Sequence, residues 1–280
     1  MIGLRMGIYS GKGAAFTGIL DTLVNQPIVA FSYKRLTNVS WATGDPIARF
    51  ERSSDLEQAD FSYNSITNEL DANSISFNSS SGTTNGQTFT SWSGIDTIST
   101  VTIYNQVNYS NSITRTNSTS GAAFTLLNKW NVGTTASHSF ASSINITGSY
   151  MSFAKINQYL LSANQFYGFR NLAENSYLCW IYRENAIKTY IVDRYAGTTS
   201  LFIFGGITTG NTFLSTYRNT PATSSYANYA NTDFGAKTYN SKSFTLLEAM
   251  SAGLSYCSDL FLFDTYNESD YSTMNSYIAL

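Results

Sequence analysis

From residue 27 onward the chain is a succession of short strand-like runs separated by turns rich in Gly, Ser and Asn, spaced roughly 8–12 residues apart. Residues 27–33 open the series, and Ile47-Ala48-Arg49-Phe50-Glu51-Arg52 alternates apolar with charged side chains at period two. Further runs cover 101–104, 139–141, 143–147 and 150–156, while 64–73 reads as turn, strand and turn. Residues 177–182, 188–193 and 201–204 read as consecutive strands of an antiparallel sandwich, followed by 244–250 and 258–264. The loop at 79–86 is the clearest break, and 221–233 is a second polar loop. Ser269 as a cap with an acidic first turn predicts a short helix over 269–278. Helical periodicity is otherwise absent and no linker interrupts the strands. The expected fold is therefore all-β: one two-sheet antiparallel jelly-roll sandwich over 27–280 with a short C-terminal helix.

Composition supports a folded chain despite few charges. Charged residues are 12% of the 280, yet 42% are hydrophobic and 15% aromatic, which is ample material for a core. Weak repulsion between copies favours assembly. A net charge of −2 without a basic stripe argues against nucleic acid, and no stretch is apolar enough for membrane insertion. Residues 1–20 carry Gly and polar residues throughout, so no secretory signal is evident. The expectation is synthesis in a cytoplasm and, if the protein ends up outside, export within a larger particle. Cys179 and Cys257 sit in apolar surroundings, which suits buried thiols better than a bridge.

Residues 1–26 read as a separate arm, broken by Gly3, Gly7, Gly11, Gly13 and Gly18. Ile19, Leu20, Leu23 and Val24 supply an apolar patch for docking onto sister subunits or a partner; a frayed terminus is the alternative.

One ordered series points to a family. It runs Ala30-Phe31-Ser32-Tyr33-Lys34-Arg35-Leu36, then Ile47-Ala48-Arg49-Phe50-Glu51-Arg52-Ser53-Ser54-Asp55, Glu69-Leu70-Asp71 and Val101-Thr102-Ile103-Tyr104-Asn105-Gln106. The series resembles the jelly-roll domain typified by the fungal α-L-arabinofuranosidase B catalytic domain, whose non-enzymatic versions occur in phage virion proteins. The tail, 260–267 through 275–278, resembles the last strand and closing helix of concanavalin-like domains. Departures accompany the matches. Relatives carry Trp-Tyr-Asp-Gln-Ser-Gly where this chain has Ile103-Tyr104-Asn105-Gln106-Val107-Asn108, and Asp-Ile-Gly-Phe has become Asp60-Phe61-Ser62-Tyr63. The adjacent cysteines of the enzymes are absent, so the resemblance carries the scaffold better than the activity.

The chemistry-bearing residues are sparse. His138 is the only histidine and lies at a polar turn entry, which suits an exposed loop residue and leaves no His-based triad or multi-His metal site. Glycoside hydrolysis needs two convergent carboxylates, for which Glu51, Asp55, Asp60, Asp193, Asp233 and Asp264 are the candidates. The favoured alternative is that Arg49, Glu51, Arg52 and Asp55 form an ion-pair network bracing a strand and its turn. No cofactor is implied; if a calcium ion is held, Asp55, Glu57 and Asp60 are the place for it. Sugar recognition by aromatic faces beside amides or carboxylates points to Trp92 with Asp96, and to Tyr226 with Asn228, Tyr229 and Asn231.

These readings converge on an expectation: a phage virion structural protein, as a spike, fibre or decoration subunit. It would be a homo-oligomer, most simply a trimer, exposed on the virion surface, docked on capsid or tail proteins and contacting host glycans. An arabinofuranosidase-like glycoside hydrolase and a purely architectural subunit are the alternatives.

Overall fold

The computed structural model describes residues 16–116, 124–125, 129–131, 136–146, 150–157, 166–171, 176–185, 188–194, 201–205, 207–209, 212–219, 242–250 and 256–278. Its elements begin with β1 (Val29–Ser32), β2 (Pro46–Arg52), β3 (Gln58–Ser62), β4 (Ser76–Phe77), helix α1 (Phe89–Ser93), β5 (Ile98–Ile103) and β6 (Ile113–Arg115). Then come β7 (Phe124–Thr125), β8 (Lys129–Asn131), β9 (Ala136–Ile146), β10 (Tyr150–Asn157), β11 (Phe166–Asn171) and β12 (Ser176–Asn185). The series closes with β13 (Lys188–Arg194), β14 (Leu201–Gly205), β15 (Ile207–Thr209), β16 (Thr212–Asn219), β17 (Lys242–Met250), β18 (Tyr256–Phe263) and helix α2 (Glu268–Ile278).

Among the described residues these strands make two sheets. The larger runs β14-β13-β12-β11-β17-β9-β6-β5-β2-β3-β4, and the smaller β15-β16-β10-β18-β8-β7 with β1 also on β18. Among the described residues the pairings along both are antiparallel, as in β12 with β13 and β13 with β14. One edge of β18 takes β10, while β1 and β8 share the other, at Asp259–Leu262 and at Tyr256 and Cys257 respectively. The expected two-sheet antiparallel sandwich with a closing helix is thus the observed architecture.

Alternation along β18 explains how the core is divided. Leu260 and Leu262 join Val29, Phe31, Phe50, Phe61, Phe140 and Phe244 between the sheets. Phe261 and Phe263 point the other way, against Met274 and Ile278 of α2 and against Leu20. A strand covered on both faces must read as a continuous apolar run, which is why Leu260-Phe261-Leu262-Phe263 shows no polar alternation.

The expected separation of an arm at residue 26 does not hold for its described part. Ile19–Thr22 forms a 3-10 turn, Leu20 is fully buried, and Ile19 and Leu23 pack on the same cluster. The segment is tied down by its backbone: Leu20 N–H donates to the Leu36 carbonyl at 2.9 Å. A Cβ at Gly18 would lie 2.0 Å from that Leu36 oxygen, so only glycine permits the approach. Val24 alone of the four proposed docking residues is exposed. Its N–H and that of Asn25 donate to Asp270 at 2.7 and 2.9 Å, latching the segment to α2. Leu20 is therefore satisfied within its own sandwich, with Ile19 and Leu23 half-buried beside it; residues 1–15 lie outside the described residues.

Two smaller expectations are also corrected. Helix α2 is capped by Asn267, whose Oδ1 accepts from Asp270 N–H at 3.0 Å, so Ser269 lies inside the helix. The strand expected within 64–73 is an isolated bridge between Lys34 and Glu69, because Asn64 and Asp71 close the segment into turns.

Candidate functional site

Alternation in β2 and β3 places Phe50 and Phe61 in the core and turns Arg49, Glu51 and Asp60 to the other face of the larger sheet. Arg49 and Asp60 are cross-strand partners and meet as a fork, with Nε to Oδ1 and Nη2 to Oδ2 both 2.9 Å. Asp60 also accepts from the Tyr104 hydroxyl at 2.6 Å and from Asn78 Nδ2 at 3.1 Å. Burial and the neighbouring Asp60 push the Tyr104 hydroxyl far above its ordinary pKa, and the Asp60 hydrogen bond raises that of Arg49. Tyr104 stacks on Tyr109, with ring centres 5.2 Å apart and planes 14° from parallel.

One step along the sheet, Glu51 receives Arg115 and Gln58. The Arg115 hydrogen bond leads the effects that hold its carboxyl below the usual range, outweighing burial. Glu57 is buried and accepts from the hydroxyls of Ser80, Ser81 and Thr84, all within the 79–86 loop. Burial raises its pKa, but these hydroxyls more than reverse that, so the net shift is downward. The expected brace of Arg49, Glu51, Arg52 and Asp55 exists as three separate ion pairs: Arg49–Asp60, Arg115–Glu51 and Arg52–Asp55. Arg49 finds its partner on the adjacent strand β3 and Glu51 finds Arg115 on β6, two strands away, which a linear reading could not supply.

The proposed calcium ligands do not converge. Asp55 pairs with Arg52, Glu57 is filled by hydroxyls, and Asp60 is filled by Arg49, Tyr104 and Asn78. Among the described residues no three acidic, His or Cys side chains form a group able to hold a metal.

Trp92 is fully buried, with Phe61 and Phe89 against its ring and the Arg52 guanidinium 5.2 Å from the ring centre. A ring so covered has no face left for a sugar, which corrects that assignment. Asp96 accepts from Ser54 at 2.7 Å and holds two turns together. Tyr226, Asn228, Tyr229 and Asn231 lie outside the described residues. His138 belongs to β9, paired with Arg115 on one side and Leu247 on the other, so its backbone is strand and not loop. Cys179 and Cys257 lie on strands of different sheets, and their side chains are outside the described set.

A feature not anticipated from the sequence is an open cleft of about 940 Å³. Its walls are the N-terminal segment at Leu20–Ile28, the loop from Thr37 to Trp41, the loop from Gln106 to Asn111, and Ser142–Asn145 of β9. Each wall is braced. Asp21 accepts from Gly18 N–H at 2.8 Å, Thr37 Oγ1 at 2.6 Å and Asn38 N–H at 2.8 Å. Burial opposes its ionisation, but those three donors win and its pKa is lowered. Trp41 is held by Asp45, whose Oδ1 accepts from the Trp41 and Ala42 N–H groups at 3.0 and 3.1 Å. That turn needs Gly44 at φ +76°, where a side chain would also strike the Phe77 ring.

The third wall depends on Asn105 and Gln106, which behave as inserted backbone. Gln106 Oε1 accepts from Leu36 N–H, and its Nε2 donates to the carbonyls of Ser32 and Lys34. Asn105 Oδ1 accepts from Ala30 N–H at 3.1 Å while its Nδ2 donates to the Ile28 carbonyl at 3.0 Å. An aspartate here could not make the second bond, so the amide at this position has a structural reason.

No family model matches the chain, and no curated protein matches it. Among solved structures it is similar to a mutant GH54 α-L-arabinofuranosidase soaked with 4-nitrophenyl α-L-arabinofuranoside, at 12% identity and a TM-score of 0.47. It is also similar to an arabinofuranosidase complexed with arabinofuranosyl-alpha-1,2-xylobiose, at 12% identity and a TM-score of 0.48. In each case 90% of this chain is covered but only 62% of the other, so the chain spans less than two thirds of those proteins.

Proposed function

We propose that the protein is a non-catalytic subunit of a virion, of the spike, fibre or decoration kind, whose sandwich contacts glycans on a host surface. The observation that supports this reading is how the buried carboxylates are used. Glu51, Glu57, Asp60, Asp259 and Asp270 are the buried acids among the described residues, and each is engaged by fixed donors. Hydrolysis of a glycoside needs two carboxyl groups facing one substrate, with at least one free to exchange its proton. Among the described residues that line the cleft the only acid is Asp21, and its oxygens are taken. The virion setting rests on the ordered series over 30–115 and on the charge-poor composition, which also favours a homo-oligomer such as a trimer.

The test is a pair of assays on the full chain. Binding on a glycan array with no release of nitrophenol from a 4-nitrophenyl arabinofuranoside is the expected result. Turnover that disappears when one carboxylate is changed to its amide would replace this reading with the glycosidase one.

A further inference from the structure

We infer that the cleft between the N-terminal segment and β9 is the glycan site, and that its ligand is an uncharged oligosaccharide. This rests on the glycan-contact reading above and adds to it a location and a ligand class. The first argument is charge. Asp21 is the one ionisable side chain among the described residues of the lining, and two N–H groups and a hydroxyl already occupy it. The nearby Arg35 guanidinium is already held by the carbonyls of Thr37 and Asn38, so a sialylated or uronic sugar would lose hydration here without gaining a lining cation.

The second argument is unspent hydrogen-bonding capacity. Asn108, Ser142, Ser143 and Asn145 line the cleft and are exposed, and none has a side-chain hydrogen bond among the described residues. Amides and hydroxyls both donate and accept, which matches sugar hydroxyls that do the same. Beside them stands Trp41, half-buried, whose indole Nε1–H is shielded from solvent and has no partner. Leu23, Val39 and Val107 add apolar surface for the C–H faces of a sugar ring. At about 940 Å³ the space falls in the upper part of the range common for ligand sites, room for several sugar units.

The third argument is preorganisation. Asp45 fixes Trp41, Asp21 ties the first wall to the second, and Asn111 Oδ1 accepts from Ser142 N–H at 3.0 Å to join the third wall to the fourth. A site already rigid gives up little entropy when it fills.

The experiment uses the full chain on an array of neutral, sialylated and uronic glycans, followed by titration calorimetry with the best neutral hit. Trp41→Ala and Asn145→Ala should each weaken binding by about tenfold or more. Ile95→Ser, an exposed side chain outside the cleft, should leave it unchanged. If Trp41→Ala fails to fold, the surface change Asn145→Ala decides. Undiminished affinity in folded cleft variants would overturn the site while leaving the glycan reading intact. Binding confined to charged glycans would overturn the ligand class. An array with no binding at all would remove the glycan reading and this inference together.

Discussion

Strand β18 and strand β2 solve the same problem in opposite ways. In β18, Phe261 and Phe263 leave the inter-sheet core only to enter a second one beneath α2 and the N-terminal segment. In β2, Arg49 and Glu51 leave the core onto a face where Asp60 and Arg115 receive them. Both arrangements set strand register, because a one-residue slip would put every side chain on the wrong face. They differ in how they fail. The apolar face fails by opening a cavity and is indifferent to pH. The polar face fails when one partner is lost or protonated.

The sharpest test of that contrast is Phe261→Ala. The ring is fully buried between β18 and α2, and its removal should cost about 3–5 kcal/mol in denaturant titration. Next comes Asp60→Ala, which leaves Arg49, Tyr104 and Asn78 without their common acceptor. Because the Arg49 side chain keeps 32% exposure, the expected loss is about 3 kcal/mol, at the low end for a broken buried pair. Equal losses from Asp60→Ala and from an exposed control pair such as Lys34→Ala would show that the polar face carries no register information.

Leu20→Ala should cost about 2 kcal/mol, whereas the exposed neighbour Val24→Ser should stay within roughly 0.5 kcal/mol. By the same logic, deleting residues 1–26 should destabilise the sandwich, since it uncovers Phe261 and Met274. A truncated chain with an unchanged melting temperature would restore the picture of a detachable arm.

The smallest effect concerns acid. The folded pKa of Glu51 lies below its unfolded value, so its contribution is present at neutral pH. That contribution is lost as pH falls from the ordinary glutamate range through the lower folded value. Glu51→Gln should therefore flatten the acid limb of the stability curve by about 1 kcal/mol. An identical acid limb in the variant would assign acid sensitivity elsewhere, with Glu57 the next candidate.

How far the sequence could be read depends on the distance between the groups involved. Strand positions were legible because alternation and apolar runs are local, and β2, β10, β13 and β18 fall close to where the pattern puts them. The cap of α2 was misplaced by two residues because Asn267 and Ser269 are both competent caps. Trp92 looked like a sugar platform because an aromatic beside an acid reads the same whether it is exposed or buried. The cleft left only one local trace, the Trp41-to-Asp45 turn with its glycine. One other wall, Leu20–Ile28, stands shortly before that turn, and the remaining two come from residues roughly 65 to 105 positions further along the chain.

The amino-acid order alone therefore determined that this is a β sandwich with one closing helix, since side-chain period and turn chemistry act over a few residues. It also determined that charge would be scarce at any binding surface. Tertiary structure decided which acids meet which donors, since Asp60, Glu51 and Asp270 take partners from other strands or from the far end of the chain. It decided too that the N-terminal segment belongs to the core, because Leu20 is buried only where β18 and α2 come together to receive it. Electrostatic and packing energies depend on separation in space, and that quantity does not exist until the chain has folded.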